Sequence, residues 1–179
     1  MYYGFNNLMV KHKVFVSFYH HDDQWYKDYI DTHLSNNIIN KSVADGEYNP
    51  ENSDEYIKRL IREDKVSDSS VIVVLVGPNT KHRKHVDWEI YAGLRASVNG
   101  RAGLVAIMLP ELRRASDGGW YYDDLPGRIA DNIKSGYATY YAWDYAINHF
   151  DEIIEEAFKN RISKENLADN SRIQMQRNT

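Results

Sequence analysis

The sequence predicts an α/β fold in which a doubly wound, mostly parallel sheet of five strands is flanked by helices. Two runs of apolar residues, Val71–Val76 and Leu104–Leu109, are bounded by turn residues and are typical of strands buried on both faces of a parallel sheet. Helical patterns alternate with the predicted strands, as the crossover connections of such a sheet require. The 179 residues fit one domain, which we place at residues 10–162, followed by a polar C-terminal tail at 163–179.

The start of the chain contributes the first strand and the first helix. Residues 13–18 are rich in β-forming side chains and end at a polar cluster, which predicts a strand. Asp22 or Asp23 then caps a helix that runs to about Leu34, with apolar residues near helical spacing. Residues 36–43 are weakly extended and predict a second strand.

A loop at residues 44–53, which contains Gly46 and Pro50, separates this strand from the second helix. Asn52 followed by Glu55 resembles a capping box, in which each side chain accepts a hydrogen bond from a free backbone N–H at the start of a helix. An apolar stripe follows at helical spacing, so we expect the second helix to begin here.

The second half of the chain completes the sheet. Helical spacing predicts a helix at about 84–97, between the two buried strands, and Pro110 closes the later strand. The remaining elements are a long insertion at 111–126, a last strand at 137–143 and a last helix at 145–162. The tail beyond that helix is so polar that we expect it to fray, with at most one loose helical turn.

The composition excludes several classes of site and partner. The chain has no cysteine, which rules out disulfides, thiolate metal sites and a cysteine nucleophile. Its longest apolar run is far short of the ~20 residues that span a bilayer, and its first residues show no signal-peptide pattern. A net charge of −4 argues against nucleic-acid binding. We therefore expect a cytoplasmic protein with neither a membrane nor a nucleic-acid partner.

Chemistry is expected just beyond the carboxyl ends of the strands, where doubly wound sheets bind their ligands. Two segments there are rich in reactive side chains, residues 17–23 and residues 77–93. Neither contains a Gly-rich phosphate loop, which leaves conventional ATPase and dehydrogenase functions unsupported. The run His20-His21-Asp22-Asp23 has neither cysteine nor HExxH spacing beside it, so we expect no metal.

The helix predicted at 84–97 carries the most informative carboxylate. Glu89 lies at the border of the buried stripe of that helix, one turn beyond His85 on the same side, and can therefore face the crevice. Trp88 points away from the stripe, which makes it a candidate contact for a partner or another subunit. The plainer interpretation is that Glu89 and the basic run Lys81–His85 are solvated helix residues.

Four stretches taken together resemble the TIR-like family, in particular the Thoeris antiphage TIR proteins of the ThsB type. They are KVFVSFYHHD, the buried VIVVLVG, KHRKHVDWEIYAGL and the later LPGRIADNIKSGYATYYAWD. The resemblance covers about residues 13 to 160 and implies the flavodoxin-like sheet of TIR domains. It also implies that the loop at 44–53 gates the site and mediates assembly, which allows a homo-oligomer.

The resemblance implies which residues form the site. TIR enzymes usually place a catalytic glutamate after a Ser-x-Trp-(Cys or Val)-x-x-Glu pattern, and Glu89 and Val86 match it, while Arg83 and His85 stand where Ser and Trp are common. Glu89 is therefore the expected catalytic residue. The expected nucleotide-binding residues are Ser17, Phe18, Tyr19, Lys84 and His85.

The resemblance further implies an enzyme that cleaves NAD, as a substrate rather than a cofactor, at the nicotinamide–ribose bond. Nicotinamide leaves NAD as a neutral molecule, so a single carboxylate that stabilises the oxocarbenium-like transition state is sufficient. The implied product is a cyclic ADP-ribose isomer, of unspecified linkage, that activates a separate effector on phage infection. The alternatives are a non-catalytic TIR scaffold, a nucleoside deoxyribosyltransferase-like hydrolase and, last, a receiver domain.

Overall fold

The computed structural model describes residues 11–42 and 48–179. Five strands form one sheet in the order β2-β1-β3-β4-β5, and every neighbouring pair is parallel. This confirms the predicted α/β fold with a doubly wound parallel sheet. The strands are β1 (His12–Ser17), β2 (Ile38–Lys41), β3 (Val71–Val76), β4 (Gly103–Met108) and β5 (Thr139–Ala142).

Helices cover both faces of the sheet. The α-helices are α1 (His20–Tyr29), α2 (Asp54–Leu60), α3 (Lys84–Leu94), α4 (Gly127–Ser135), α5 (Trp143–Ala146) and α6 (Phe150–Ser163). The first two continue as π-helical turns, Ile30–Leu34 after α1 and Ile61–Lys65 after α2. Every residue of β3 and β4 is buried, as their continuous apolar runs predict, because side chains of both faces pack under helices.

Two predicted helix starts differ from the structure. The first helix begins at His20 with Tyr19 at its N-cap, and no side chain caps it, so neither Asp22 nor Asp23 has the predicted capping role. The carboxyl of Asp23 is instead buried, which raises its pKa to about 6, and it accepts a hydrogen bond from Thr80. In α2 the cap is Ser53, one residue after the predicted position, and its Oγ accepts from the Tyr56 N–H at 3.3 Å.

The predicted last helix is divided in two. A short helix, α5, ends at Ala146, where the Asn148 side-chain amide donates to the carbonyl of Asp144 at 2.8 Å and so satisfies the helix end. The chain then turns through His149 into α6.

The insertion at 111–126 contains an antiparallel bridge between Arg114 and Trp120. Residues 43–47 of the loop predicted at 44–53 lie outside the described residues.

The last residues of the chain do not fray as expected. Residues 168–179, called the C-terminal segment below, run across α3 and α4 after a single helical turn at Glu165–Leu167. The amide of Asn132 donates to the Asp169 carbonyl at 2.7 Å and its carbonyl accepts from the Asp169 N–H at 2.9 Å. Hydrogen bonds from buried side chains therefore replace the apolar burial that the polar sequence lacks.

Within residues 11–42 and 48–179, no helix combines the length and the apolar character that crossing a membrane requires.

Candidate active site

The carboxylate of Glu89 is buried at the edge of the sheet where the strands end. Its side chain projects from α3, the helix that follows β3, and only 4% of the residue is exposed. Ser17, the last residue of β1, donates its hydroxyl to Oε2 of Glu89. The hydroxyl of Tyr48 donates to Oε1 at 2.8 Å. Both oxygens of the carboxylate are thus held by hydroxyl groups from two other parts of the chain.

Burial changes the acidity of this carboxylate. Desolvation raises the pKa of Glu89 to about 7, although the hydrogen bonds from Ser17 and Tyr48 act in the opposite direction. The pKa of the Tyr48 hydroxyl is raised by its burial and by the neighbouring carboxylate, so it stays a hydrogen-bond donor. Glu89 therefore changes between its neutral and charged forms near neutral pH, which is common for groups that act in catalysis.

A cavity of about 150 Å³ lies against Glu89. Beside Glu89, its lining comes from the end of β1, the start of α3, Tyr48 and the C-terminal segment: Phe18, Tyr19, His20, Tyr48, Arg83, His85, Val86 and Asn178. Burial lowers the pKa of His85 to about 4, so its imidazole is neutral at pH 7. The Nε2 atom of His85 is enclosed and has no hydrogen-bond partner in the described structure.

Among the residues that the structure describes, only one cation of the basic run before α3 has no ion pair. Lys81 forms an ion pair with Asp124 at 3.1 Å, and Lys84 forms one with Asp54 at 2.6 Å. Arg83 has no ion pair among the described residues, and its guanidinium lies 3.9 Å from the centre of the Tyr19 ring. Because Arg83 also lines the cavity, it is the group best placed to attract an anion there.

The structure brings together most of the residues predicted for the site. Ser17, Phe18, Tyr19 and His85 surround Glu89, by direct hydrogen bond or across the cavity. Lys84 does not: its ammonium group lies 4.9 Å from the ring of Trp88, and its ion pair with Asp54 holds it outside the cavity.

The C-terminal segment adds a residue that sequence patterns could not place. Oδ1 of Asn178 accepts from the backbone N–H of Lys84 at 2.9 Å, the first residue of α3, and Asn178 also lines the cavity. The same segment covers Trp88, whose indole N–H donates to the Met175 carbonyl at 2.8 Å. Trp88 is thus buried by its own chain, and the prediction that it contacts a partner is wrong for this structure.

The cavity also includes Tyr48, Arg83 and His20, which the sequence patterns do not single out as site residues. Tyr48 belongs to the loop that the family resemblance associates with gating, which was the one available signal. Arg83 was not distinguished from its basic neighbours. No group of three histidine, aspartate or glutamate side chains able to hold a metal ion occurs in residues 11–42 and 48–179.

A buried carboxylate, fixed by two hydroxyl donors and facing a small cavity, can stabilise positive charge that develops on a bound ligand. The guanidinium of Arg83 at the rim can bind a phosphate. The neutral imidazole of His85 can donate a hydrogen bond to one hydroxyl group and accept one from another. The arrangement therefore fits a ligand that carries phosphate, sugar hydroxyls and a reacting centre which becomes cationic.

Comparison with protein families identifies the fold more narrowly. The model of the family described as "Thoeris protein ThsB, TIR-like domain" matches residues 15–114, just over half of the chain. The match includes Ser17, Tyr48, Arg83 and Glu89. No curated protein sequence matches the chain. Since the matched residues contain the end of β1, all of β2 to β4 and the buried carboxylate with its hydroxyl donors, the chain belongs to the family of ThsB TIR-like domains of Thoeris systems.

Proposed function

We propose that this protein is an enzyme that cleaves NAD at the nicotinamide–ribose bond, with Glu89 as the catalytic residue. In this proposal the product is a cyclic ADP-ribose isomer, formed on phage infection, which diffuses to a separate effector. The observation that carries the proposal is the buried Glu89 carboxylate, held by Ser17 and Tyr48 beside a cavity at the carboxyl edge of the sheet. The family assignment supports it, because it places the chain in a Thoeris system.

The proposed reaction requires little from the protein besides charge and position. The bond between the ribose anomeric carbon and the pyridinium nitrogen breaks, and its electron pair goes to that nitrogen, so nicotinamide leaves neutral. The ribose carbon becomes oxocarbenium-like, and the Glu89 carboxylate stabilises this positive charge. Water, a ribose hydroxyl or an adenine nitrogen then attacks that carbon and loses a proton. Only the last two acceptors give a cyclic product.

The size of the cavity determines how NAD is expected to bind. Pockets that enclose a whole ligand of this size are usually about 300–1,000 Å³, whereas this cavity has a volume of about 150 Å³. We therefore expect only the nicotinamide ribose to enter, near Glu89, with a ring against Phe18 or Tyr19. The pyrophosphate then lies at the rim beside Arg83.

The first experiment measures small molecules in bacteria that express this chain. We expect an ADP-ribose isomer to appear by mass spectrometry after phage challenge in cells with the wild-type chain, and none in cells with Glu89→Gln. Cells are used so that phage infection, the trigger in this proposal, is present in the experiment. An unchanged nucleotide pool under a phage that the system is shown to resist would contradict the proposal and favour a non-catalytic scaffold.

The pH dependence of turnover follows from the pKa of Glu89. The reaction needs the carboxylate, and a pKa of about 7 means that its charged fraction increases roughly tenfold between pH 6 and pH 8. We expect kcat/KM for NAD to rise by about this factor and then to level off. A rate that is already constant from pH 5 upward would show that Glu89 titrates like an exposed carboxylate or has no part in the reaction.

The effect of Glu89 on stability has the opposite sign. Its pKa in the folded protein is raised above the ordinary value of 4.5, so the folded state holds the proton more strongly than the unfolded state. The contribution of this group to the free energy of unfolding is therefore fully present below about pH 4.5 and decreases as the pH rises toward 7.

Arg83 is expected to act in binding rather than in bond cleavage. Replacing Arg83 by Gln removes the cation at the cavity rim. We expect KM for NAD to rise about tenfold, which corresponds to the free energy of one charge-assisted hydrogen bond, and kcat to change less. Lys81→Gln is the matched control, because Lys81 belongs to the same basic run but is paired with Asp124. Equal effects of the two variants on KM would indicate that the basic run attracts NAD by its overall charge and that Arg83 makes no specific contact with it.

A further inference from the structure

A groove that is separate from the Glu89 cavity lies on the outer face of α3. It is a groove of about 620 Å³ between α2, α3 and Gln174 of the C-terminal segment. Residues Glu55, Lys58, Arg59 and Arg62 share one face of α2 and its π-helical extension, and Trp88, Tyr91 and Arg95 share the facing side of α3. Glu89 projects from another side of α3 and does not line the groove.

The groove is strongly basic in a chain of net negative charge. Its lining contains four cationic side chains and one carboxylate, whereas the whole chain carries −4. The carboxylate, Glu55, is already paired with Lys58 at 3.1 Å, and Arg62 pairs with its neighbour Glu63. Arg59 and Arg95 have no ion pair among the described residues, so their charge is available to an anion.

Aromatic side chains accompany this charge. Tyr56 is 44% exposed and has the guanidinium of Arg59 at 5.5 Å from its ring centre, and Tyr91 is half-buried in the opposite wall. Exposed tyrosine rings and planar guanidinium groups stack with nucleobases, and guanidinium groups bind phosphate oxygens in pairs. The volume of the groove is within the range of small-molecule sites.

We propose that this groove binds a nucleotide, with its phosphates on Arg59 and Arg95 and its base against Tyr56. The ligand class is a nucleoside diphosphate or a larger molecule that contains one. This site is separate from the proposed catalytic cavity, and the proposal does not depend on Glu89 acting on NAD.

The test is isothermal titration calorimetry of the full chain with ADP, adenosine and inorganic pyrophosphate. We expect ADP to bind more tightly than pyrophosphate, because of stacking, and adenosine to bind weakest, because it carries no phosphate. The double variant Arg59→Gln/Arg95→Gln is expected to weaken ADP binding at least tenfold. Arg113→Gln is the control, since Arg113 is an exposed arginine near the aromatic ring of Tyr121, outside the groove.

Two further measurements separate this site from the catalytic cavity. Hydrogen exchange on adding ADP is expected to slow in residues 53–62 and 88–95, and to do so equally in wild type and in Arg83→Gln. NAD turnover of the Arg59→Gln/Arg95→Gln variant is expected to equal that of the wild type. Unchanged ADP affinity in the double variant, or loss of ADP binding in Arg83→Gln, would overturn the proposal. So would binding of a poly-glutamate peptide in the groove without binding of ADP.

Discussion

Replacing Glu89 by Gln is expected to lower kcat/KM for NAD by at least about 10²–10³-fold, the effect of removing one preorganised stabilising group from an active site. Gln keeps the volume of the side chain and can still accept a hydrogen bond from Ser17 or Tyr48, but it carries no negative charge. The transition state then loses its only anionic partner in the cavity, since Glu89 is the one carboxylate among the described residues that line it.

The same variant is expected to remain folded. The charged form of Glu89 is disfavoured by burial, so the neutral amide should leave the melting temperature at pH 8 unchanged or raise it. Circular dichroism and thermal unfolding measure this beside release of nicotinamide. A stable variant without turnover identifies a catalytic group, whereas loss of both properties would identify a structural one.

Glu111→Gln is the matched control for this experiment. Glu111 also accepts a tyrosine hydroxyl, from Tyr26 at 2.6 Å, but it is exposed and does not line the cavity. We expect its turnover to stay within about twofold of the wild type, since surface substitutions rarely matter beyond a few tenths of a kcal/mol. If Glu89→Gln turned over NAD as fast as Glu111→Gln, Glu89 would have no catalytic role in the reaction.

The parts of this molecule that sequence patterns predicted are those that local physics determines. The apolar runs of β3 and β4 indicate buried parallel strands because each run is short and is bounded by turn residues, whereas a buried helix would be longer. The position of Glu89 at the border of the α3 stripe follows from helical periodicity alone. Ser17 and Glu89 could be expected near each other because both follow strands at one edge of the sheet.

The parts that were missed depend on pairs of residues distant in the sequence. Lys84 looks as free as Arg83 in the sequence, but an ion pair with Asp54, thirty residues earlier, removes it from the site. The C-terminal segment looks disordered by composition, because composition reports apolar content and not whether partners exist for polar groups. Asn178 lies at the start of α3 because the segment is held there by hydrogen bonds, among them those of Met175 with Trp88 and Asp87.

A large loss of stability is expected on replacing Arg128. Its buried guanidinium binds the C-terminal segment to the rest of the domain. Its Nε donates to Asp87 at 3.0 Å, and its two terminal nitrogens donate to Asn170 and to the carbonyl of Arg172, both at 2.9 Å. The other oxygen of Asp87 accepts from the Met175 N–H at 2.8 Å. A single buried ion pair therefore joins α3, α4 and the segment.

Replacing Arg128 by Met is expected to lower the free energy of unfolding by about 3–5 kcal/mol, because Asp87 is left buried without its cation. Urea unfolding followed by circular dichroism measures this loss. The control is Arg172→Met, which breaks an exposed ion pair with Asp131 and should cost less than about 1 kcal/mol. Losses of the same size in both variants would contradict the view that burial sets the cost.

A double variant separates the charge from the packing. Asp87→Leu/Arg128→Met removes both members of the pair, and replacing a buried ion pair by apolar residues is often neutral, so most of the stability should return. That variant also loses the hydrogen bond that Arg128 donates to Asn170 and the one that Asp87 accepts from the Met175 N–H. The segment should therefore exchange its backbone hydrogens faster than in the wild type, and the Lys84 N–H that Asn178 covers should do the same. Restored stability with a fully protected segment would show that other contacts, such as the hydrogen bonds of Trp88 and Asn132, hold the segment in place without the ion pair.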